Sequence, residues 1–370
     1  MARTFAHRRF GCTAVLWMLL ALLPQCSVAA WGQTVPASPV GLQSNVRFDQ
    51  YAPLAANDVL ASRLLSPLAA ARLRRKLSAS NMTLQGQPVD LGAERFTLYV
   101  PPKAPPKGYG LMVFVPPWPD ARIPSGWRRA LDAYGLIFVT AGQSGNEAAV
   151  ASRRIPLALL EAQNVRARYL VDPERVYVAG FSGGSRVAEQ IAVAFPDVFA
   201  GAVLDAGSDP LGGAGAPVPA KTLLESLQEH SRIVAVTGAE DDMNLSKDAE
   251  TAQSMTHWCA FNVSMRTAPW IGHDVIGPEA LSQALAGLEA RPSPNLVRLN
   301  ACRASLENEL AAGLQRAGAE VAAGRLGAAR KLIFGLDERF GGFADDRLVS
   351  LAATCRCMEP EPEKDRELAQ

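Results

Sequence analysis

The sequence has almost no net charge: 37 Lys and Arg stand against 36 Asp and Glu, a formal +1. The basic excess that grips a phosphate backbone is missing, so no nucleic-acid partner is expected. Histidine is scarce, with four in 370 residues, and His7 lies in an N-terminal leader-like segment. That leaves His230, His257 and His273 for proton or metal chemistry. None sits in the paired Cys/His spacing that zinc requires, so neither a metal nor a cofactor is expected. Long hydrophobic runs are missing too. The N-terminal run, about Thr13 to Leu23, is shorter than the roughly 20 residues of a membrane helix.

That first segment, "MARTFAHRRFGCTAVLWMLLALLPQCSVAA", places Arg3, Arg8 and Arg9 before the apolar run and ends at Ala29-Ala30. A basic flank, a short apolar stretch and a small-residue site predict a cleaved secretory signal over residues 1–30. An uncleaved anchor is the competing reading, and Arg8-Arg9 also admits a twin-arginine signal. The expected location is outside the bacterial cytoplasm, periplasmic or secreted, with no stable membrane span after cleavage. Loss of the leader removes Cys12 and Cys26 and leaves Cys259, Cys302, Cys355 and Cys357. An exported chain permits disulfides. Cys355 and Cys357 are one residue apart, a spacing that strains a direct bond. Each is therefore expected to reach back, one to Cys302 and the other to Cys259.

Residues 31–56 read as a flexible, Pro-containing lead-in. Helical spacing follows from about Asn57 to Ser78, broken at Pro67. Short apolar runs come next: "RFTLYVP", "LMVFVPP", "LIFVTAG", "RVYVAGF", "AGAVLDAGS", "RIVAVTGAE" and "NVSMRTAP". Most lack polar alternation, as strands covered on both faces do. Segments of helical length separate the later ones, among them "GGSRVAEQIAVAF" and "AKTLLESLQEHS". This pattern predicts an α/β fold, a mostly parallel sheet with helices on both faces, over residues 57–290. "PKAPPKGYG" is too short for a crossover helix, so the first two runs are expected to pair antiparallel at an edge. Residues 291–358 are expected to form a small C-terminal helical hairpin or three-helix extension, broken at Gly324 and Gly341-Gly342. Its partner is unknown. Residues 359–370 are charged, Pro-containing and expected to be disordered.

Gly180-Phe181-Ser182-Gly183-Gly184 fits G-x-S-x-G where "RVYVA" hands over to "SRVAEQIA". A nucleophilic serine must stand clear of the sheet on a sharp, strained turn. Gly180 and Gly184 supply the absence of side chains that such a turn needs. A packing or anion-binding glycine turn is the bland alternative. A hydroxyl needs a base, and on this fold acid and histidine follow the serine in that order at later strand ends. His273, in the loop "APWIGHDVIGP", is the expected base. His230 at a helix end and His257 on a helix face read as surface or packing residues. For the acid, "TGAEDDMN" offers Asp241, with Asp242 as the alternative and a solvated turn as the bland reading. Asp205 comes one strand too early. The oxyanion donors are expected from the backbones of Gly183 and Trp118, because Pro116 and Pro117 have no N–H.

From about Phe96 to Ala290 these motifs make the chain resemble the α/β-hydrolases. More narrowly, it resembles secreted esterases related to polyhydroxyalkanoate depolymerases and feruloyl esterases, through "RFTLYVPP", "LMVFVPPW", "VDPERVYVAGFSGGS", "TGAEDD" and "GH". It departs from them in having Pro116-Pro117 where they usually carry a His-Gly pair. The resemblance implies a Ser-His-Asp hydrolase cleaving a small-molecule or polymer-borne ester. "DPLGGAGAPVP" is too short for a helical cap, which predicts an open site. Two other readings compete: a non-catalytic exported binding or envelope-assembly protein on the same fold, and a serine peptidase.

Overall fold

A computed structural model describes residues 39–358 except 85 and 292; the expected signal and the charged tail lie outside the described residues. In chain order the elements are β1 (Gly41–Val46), α1 (Asn57–Leu64), α2 (Pro67–Ala79), β2 (Phe96–Val100), β3 (Tyr109–Val115), α3 (Trp127–Tyr134), β4 (Leu136–Ala141), α4 (Ile155–Arg168), β5 (Val171–Phe181) and α5 (Gly183–Ala194). They continue with β6 (Gly201–Asp205), α6 (Lys221–His230), β7 (Arg232–Gly238), α7 (Asp242–His257), β8 (Val263–Ala268), α8 (Pro278–Glu289), α9 (Leu296–Ala322), α10 (Leu326–Phe340) and α11 (Asp345–Thr354).

The eight strands form one sheet in the order β1-β2-β4-β3-β5-β6-β7-β8. From β4 to β8 every pairing is parallel; β2 runs antiparallel to both β1 and β4. The seven apolar runs are β2 to β8. Every residue of β3, "YGLMVFV", is buried, as expected for a strand with helices on both sides. Alternate residues face opposite layers. Leu111, Val113 and Val115 join α4 and α5 in one core, while Met112 and Phe114 meet Trp127 of α3 and Leu285 of α8 in the other.

Two expectations need correcting. β2 and β3 are not neighbours, because β4 inserts between them and leaves β2 paired with β1 and β4. A short connection forbids a crossover helix, but it can still step over one strand. Secondly, the expected lead-in at residues 31–56 contains strand β1. Its sequence "GLQSNV" is half exposed, with Asn45 at φ 56° and a register shift between Gln43 and Val46. A polar, bulged strand suits a sheet edge and leaves no hydrophobic signal in the sequence.

The C-terminal helices α9 to α11 form a third core with α2, α6 and α7, around Trp258, Phe340 and Phe343. The chain turns between them at Gly324 (φ 71°) and Gly341 (φ 48°), the two breaks read from sequence. The carboxylate of Asp337 in α10 accepts from the Ser66 hydroxyl at 2.5 Å and the Leu68 N–H at 3.1 Å, tying α10 to the start of α2. Cys302 on α9 bonds to Cys259 at the end of α7, and Cys355 pairs with Cys357. This differs from the expected long-range pairing of Cys355 and Cys357. Arg356 sits at φ 55°, turning the chain so that the flanking Cα atoms come within 5.3 Å.

Candidate active site

β5 ends at Phe181 and α5 begins at Gly183, leaving Ser182 alone at the junction with φ 55° and ψ −122°. An L-residue holds that conformation only when its surroundings impose it. The Ser182 N–H donates to the Asp205 carbonyl at 2.8 Å, and the Ser182 carbonyl accepts from the Ser185 N–H at 3.0 Å. The glycines do what the motif implied. A Cβ on Gly180 would run into the Gly184 carbonyl, and one on Gly184 would run into the carbonyl of Val115.

The structure brings Ser182, His273 and Asp241 together. His273 Nε2 lies 2.9 Å from Ser182 Oγ, and His273 Nδ1 lies 2.7 Å from Asp241 Oδ2. A carboxylate can only accept, so Nδ1 carries the proton and Nε2 keeps a lone pair for the hydroxyl. His273 stands in the loop after β8, its ring beside Phe181 with centroids 5.1 Å apart. Asp241 is buried in the turn after β7, where it caps α7 by accepting from the Asn244 N–H at 3.3 Å. Asp242, the alternative acid, is the first residue of α7 and is exposed. The helical twist of about 100° per residue carries its side chain away from the direction Asp241 takes.

One partner escaped the sequence reading. The fully buried Asn244 donates from Nδ2 to Asp241 Oδ2 at 2.7 Å, and its Oδ1 accepts from Arg186 at 3.0 Å. Burial alone would raise the Asp241 pKa. Hydrogen bonds from the Asn244 amide, from His273 and from the Asn244 backbone outweigh it and hold the carboxyl below its usual value. The only available signal was the i, i+3 spacing of Asp and Asn at a helix start, which is common to many helices.

Asp205 does not reach the imidazole. It accepts from the Ile276 N–H at 3.0 Å and so anchors the loop that carries His273. Burial pushes its carboxyl well above the usual range. His230 is exposed beside Glu229, and His257 is exposed at the end of α7 against Trp258. Neither touches the site.

On the other side of Ser182, Trp118 follows Pro116-Pro117, its ring between Phe114 and Phe181 with Arg122 4.4 Å above it. Gly183 occupies the first turn of α5, where a backbone N–H has no intrahelical acceptor. The loop after β4 braces the Trp118 segment: Gln143 N–H donates to the Pro119 carbonyl at 2.6 Å, and Asn146 N–H to the Pro117 carbonyl at 3.0 Å. The Asn146 carboxamide lies against Gly183. Among the described residues no group of three or more His, Cys, Asp or Glu could hold a metal ion.

A sheet with this strand order, β2 antiparallel, and a serine on a strained turn after β5 define the α/β-hydrolase fold. The more particular relation comes from a family model described as Esterase PHB depolymerase, which matches residues 131–244. That span holds Ser182 and Asp241 but not His273 or Trp118. The chain resembles serine hydrolases of esterase type. No curated protein matches it. Among solved structures, a thermostable esterase is 17% identical over 53% of this chain, with a TM-score of 0.41. This chain spans only 59% of that esterase's length. An S-formylglutathione hydrolase from Agrobacterium tumefaciens is 14% identical, over 54% of this chain and 90% of its own, with a TM-score of 0.41. A poly(3-hydroxybutyrate) depolymerase from Bordetella parapertussis is 18% identical, over 56% of this chain and 88% of its own, with a TM-score of 0.40. The fold assignment rests on the strand order and the turn, not on these superpositions.

Proposed function

We propose that this protein is an exported carboxylic ester hydrolase working through an acyl-enzyme on Ser182, with His273 as base and Asp241 as its orienting acid. The observation that carries the reading is the double hydrogen bond of His273, to Ser182 through Nε2 and to Asp241 through Nδ1. As Ser182 Oγ bonds to the ester carbonyl carbon, its proton passes to His273 Nε2. Asp241 stays ionised and stabilises the imidazolium. The carbonyl oxygen, now negative, faces the N–H groups of Trp118 and Gly183 at the positive end of α5. When the tetrahedral adduct collapses, the alcohol leaves with the proton from Nε2. Water then enters by the same route and releases the acid.

An ester on a bulky group or polymer suits the rim. Residues 206–220, between β6 and α6, contain turns and isolated bridges rather than a helical cap. Trp270, three residues before His273, is 89% exposed, and Met243, two residues after Asp241, is 67% exposed. Export is supported by the leader sequence and the Cys259–Cys302 bridge. Among the described residues no helix is long and apolar enough to cross a membrane.

The test is hydrolysis of p-nitrophenyl esters by wild type and Ser182→Ala. The variant is expected to lose at least about 10⁴ in kcat while keeping its fold. Turnover at the wild-type rate would overturn the assignment.

A further inference from the structure

"SRRIP" places two arginines side by side before α4, and they go to opposite fates. Residues Val150–Arg154 form a π-helical turn in which both Arg153 and Arg154 N–H groups donate to the Ala149 carbonyl. A wider turn rotates successive side chains differently from an α-helix, and such turns concentrate at functional sites. Arg153 points outward and makes a two-fold hydrogen bond with Glu94, at 2.9 and 2.8 Å. Arg154 points inward and is 3% exposed.

The partners of Arg154 are backbone carbonyls from three separate segments, two loops and the start of α5. Nη2 donates to Pro116 at 2.8 Å, Nε to Ser144 at 2.9 Å, and Nη1 reaches Gly183 at 3.4 Å. Pro116 precedes the Trp118 segment, Ser144 lies in the loop bracing it, and Gly183 starts α5. No carboxylate of the described residues forms an ion pair with this guanidinium. Burial lowers its pKa to about 10, so it remains a cation at neutral pH. A buried charge without a counter-ion is costly, and a packed apolar residue would serve stability as well or better.

We propose that Arg154 is a positioning residue for the oxyanion site, fixing the backbones of Pro116–Trp118 and Gly183 in register and adding positive charge behind their N–H groups. This rests on the reading of Ser182 as nucleophile. A fork of rigid donors suits three carbonyls that no single neutral side chain could reach. The attraction of this fixed charge for the carbonyl oxygen strengthens as the oxygen becomes an anion, so its effect falls on the transition state rather than on substrate binding.

The experiment compares wild type, Arg154→Met and Arg154→Lys in kcat, KM and thermal melting on a p-nitrophenyl ester. Wild-type turnover that disappears in Ser182→Ala establishes the parent reading; its absence is a failure of that reading and not of this one. Peptide-level hydrogen exchange over 112–126 then reads the clamp without activity, and exchange in Arg154→Met equal to wild type overturns the proposal. Given turnover, folded Arg154→Met is expected to lose about 10²-fold in kcat, with KM within about 3-fold. Arg154→Lys keeps the charge without the fork and should lose about 10-fold. A folded Arg154→Met with kcat within about 3-fold of wild type, or a loss confined to KM, overturns the proposal. If the Met variant does not fold, Arg154→Lys decides: kcat equal to wild type overturns it and a kcat-specific loss supports it.

Discussion

On one side of Ser182 stand His273, Asp241 and Asn244, joined side chain to side chain across β7, α7 and the loop after β8. On the other stand the backbones of Trp118 and Gly183, held by Gln143, Asn146 and Arg154 through hydrogen bonds to carbonyls. The imidazole side demands particular residue types, since only some side chains carry a titratable or nucleophilic atom. The loop side demands only backbone in the right place, which nearly any residue can supply. The two sides should therefore fail differently. Substitution on the first removes chemistry, and substitution on the second degrades geometry.

The largest expected effect sharpens the first side. Asp241→Asn leaves the space filled but offers His273 an amide, favouring the wrong tautomer, and should lower kcat by about 10⁴. Asp242→Asn, one residue on and exposed, should leave kcat within about 2-fold. Steady-state kinetics of the pair decide which carboxylate works, and equal losses would break the assignment. A smaller effect tests the loop side. A Cβ on Gly183 would strike the Asn146 carboxamide, so Gly183→Ala should cost about 10-fold in kcat. The obstacle is the end of a side chain, so adding Asn146→Ala should restore most of the rate. A double mutant no faster than Gly183→Ala would show that the obstruction lies elsewhere.

The comparison also explains what could be read in advance. "GFSGG", "EDD" and "GH" were legible because their spacing on strand ends follows from the chemistry. The strands β2 to β7 were legible because burial leaves continuous apolar runs. The last strand, β8, "VSMRTA", is a largely exposed edge and was read from its place at the end of the strand-helix alternation. β1 was not, being a polar edge, and α3 went unread. Arg154 and Asn244 were hard to read for another reason: Arg154 donates to Pro116, 38 residues away, and Asn244 accepts from Arg186, 58 residues away. No local pattern encodes a contact that only the closed sheet creates. The pairing of Cys355 with Cys357 was missed because a one-residue spacing strains a flat chain, whereas Arg356 takes a left-handed turn.

Asn244→Leu lies between the two regimes, since the amide tunes the acid without touching substrate. Without it Asp241 loses a donor to its charged form, and its folded pKa rises toward the unfolded value. A depressed carboxyl stabilises the fold above its unfolded pKa and loses that contribution as pH falls through the folded pKa. The variant's stability deficit should therefore be present at pH 7 and shrink on acidification to about pH 3, with kcat down about 5-fold. A deficit independent of pH would contradict this.

The smallest effect belongs to neither side. Glu161 in α4 is buried, its Oε1 has no partner, and burial pushes its carboxyl well above the usual range. For a raised carboxyl the stabilising linkage is complete below the unfolded pKa and is lost as pH rises through the folded pKa. Glu161→Gln should melt about 2 °C or more above wild type at pH 8, converge with it near pH 4, and leave kcat unchanged. An equal gain at both pH values would show that charge is not the cause.

The most direct test of the central claim is reaction of the folded protein with a fluorophosphonate probe, read by intact mass and peptide mapping. A hydroxyl activated by His273 should take up one adduct, on the peptide containing Ser182, and Asp241→Asn should slow the labelling. A folded protein that takes no adduct, or carries it on another residue, would contradict the account.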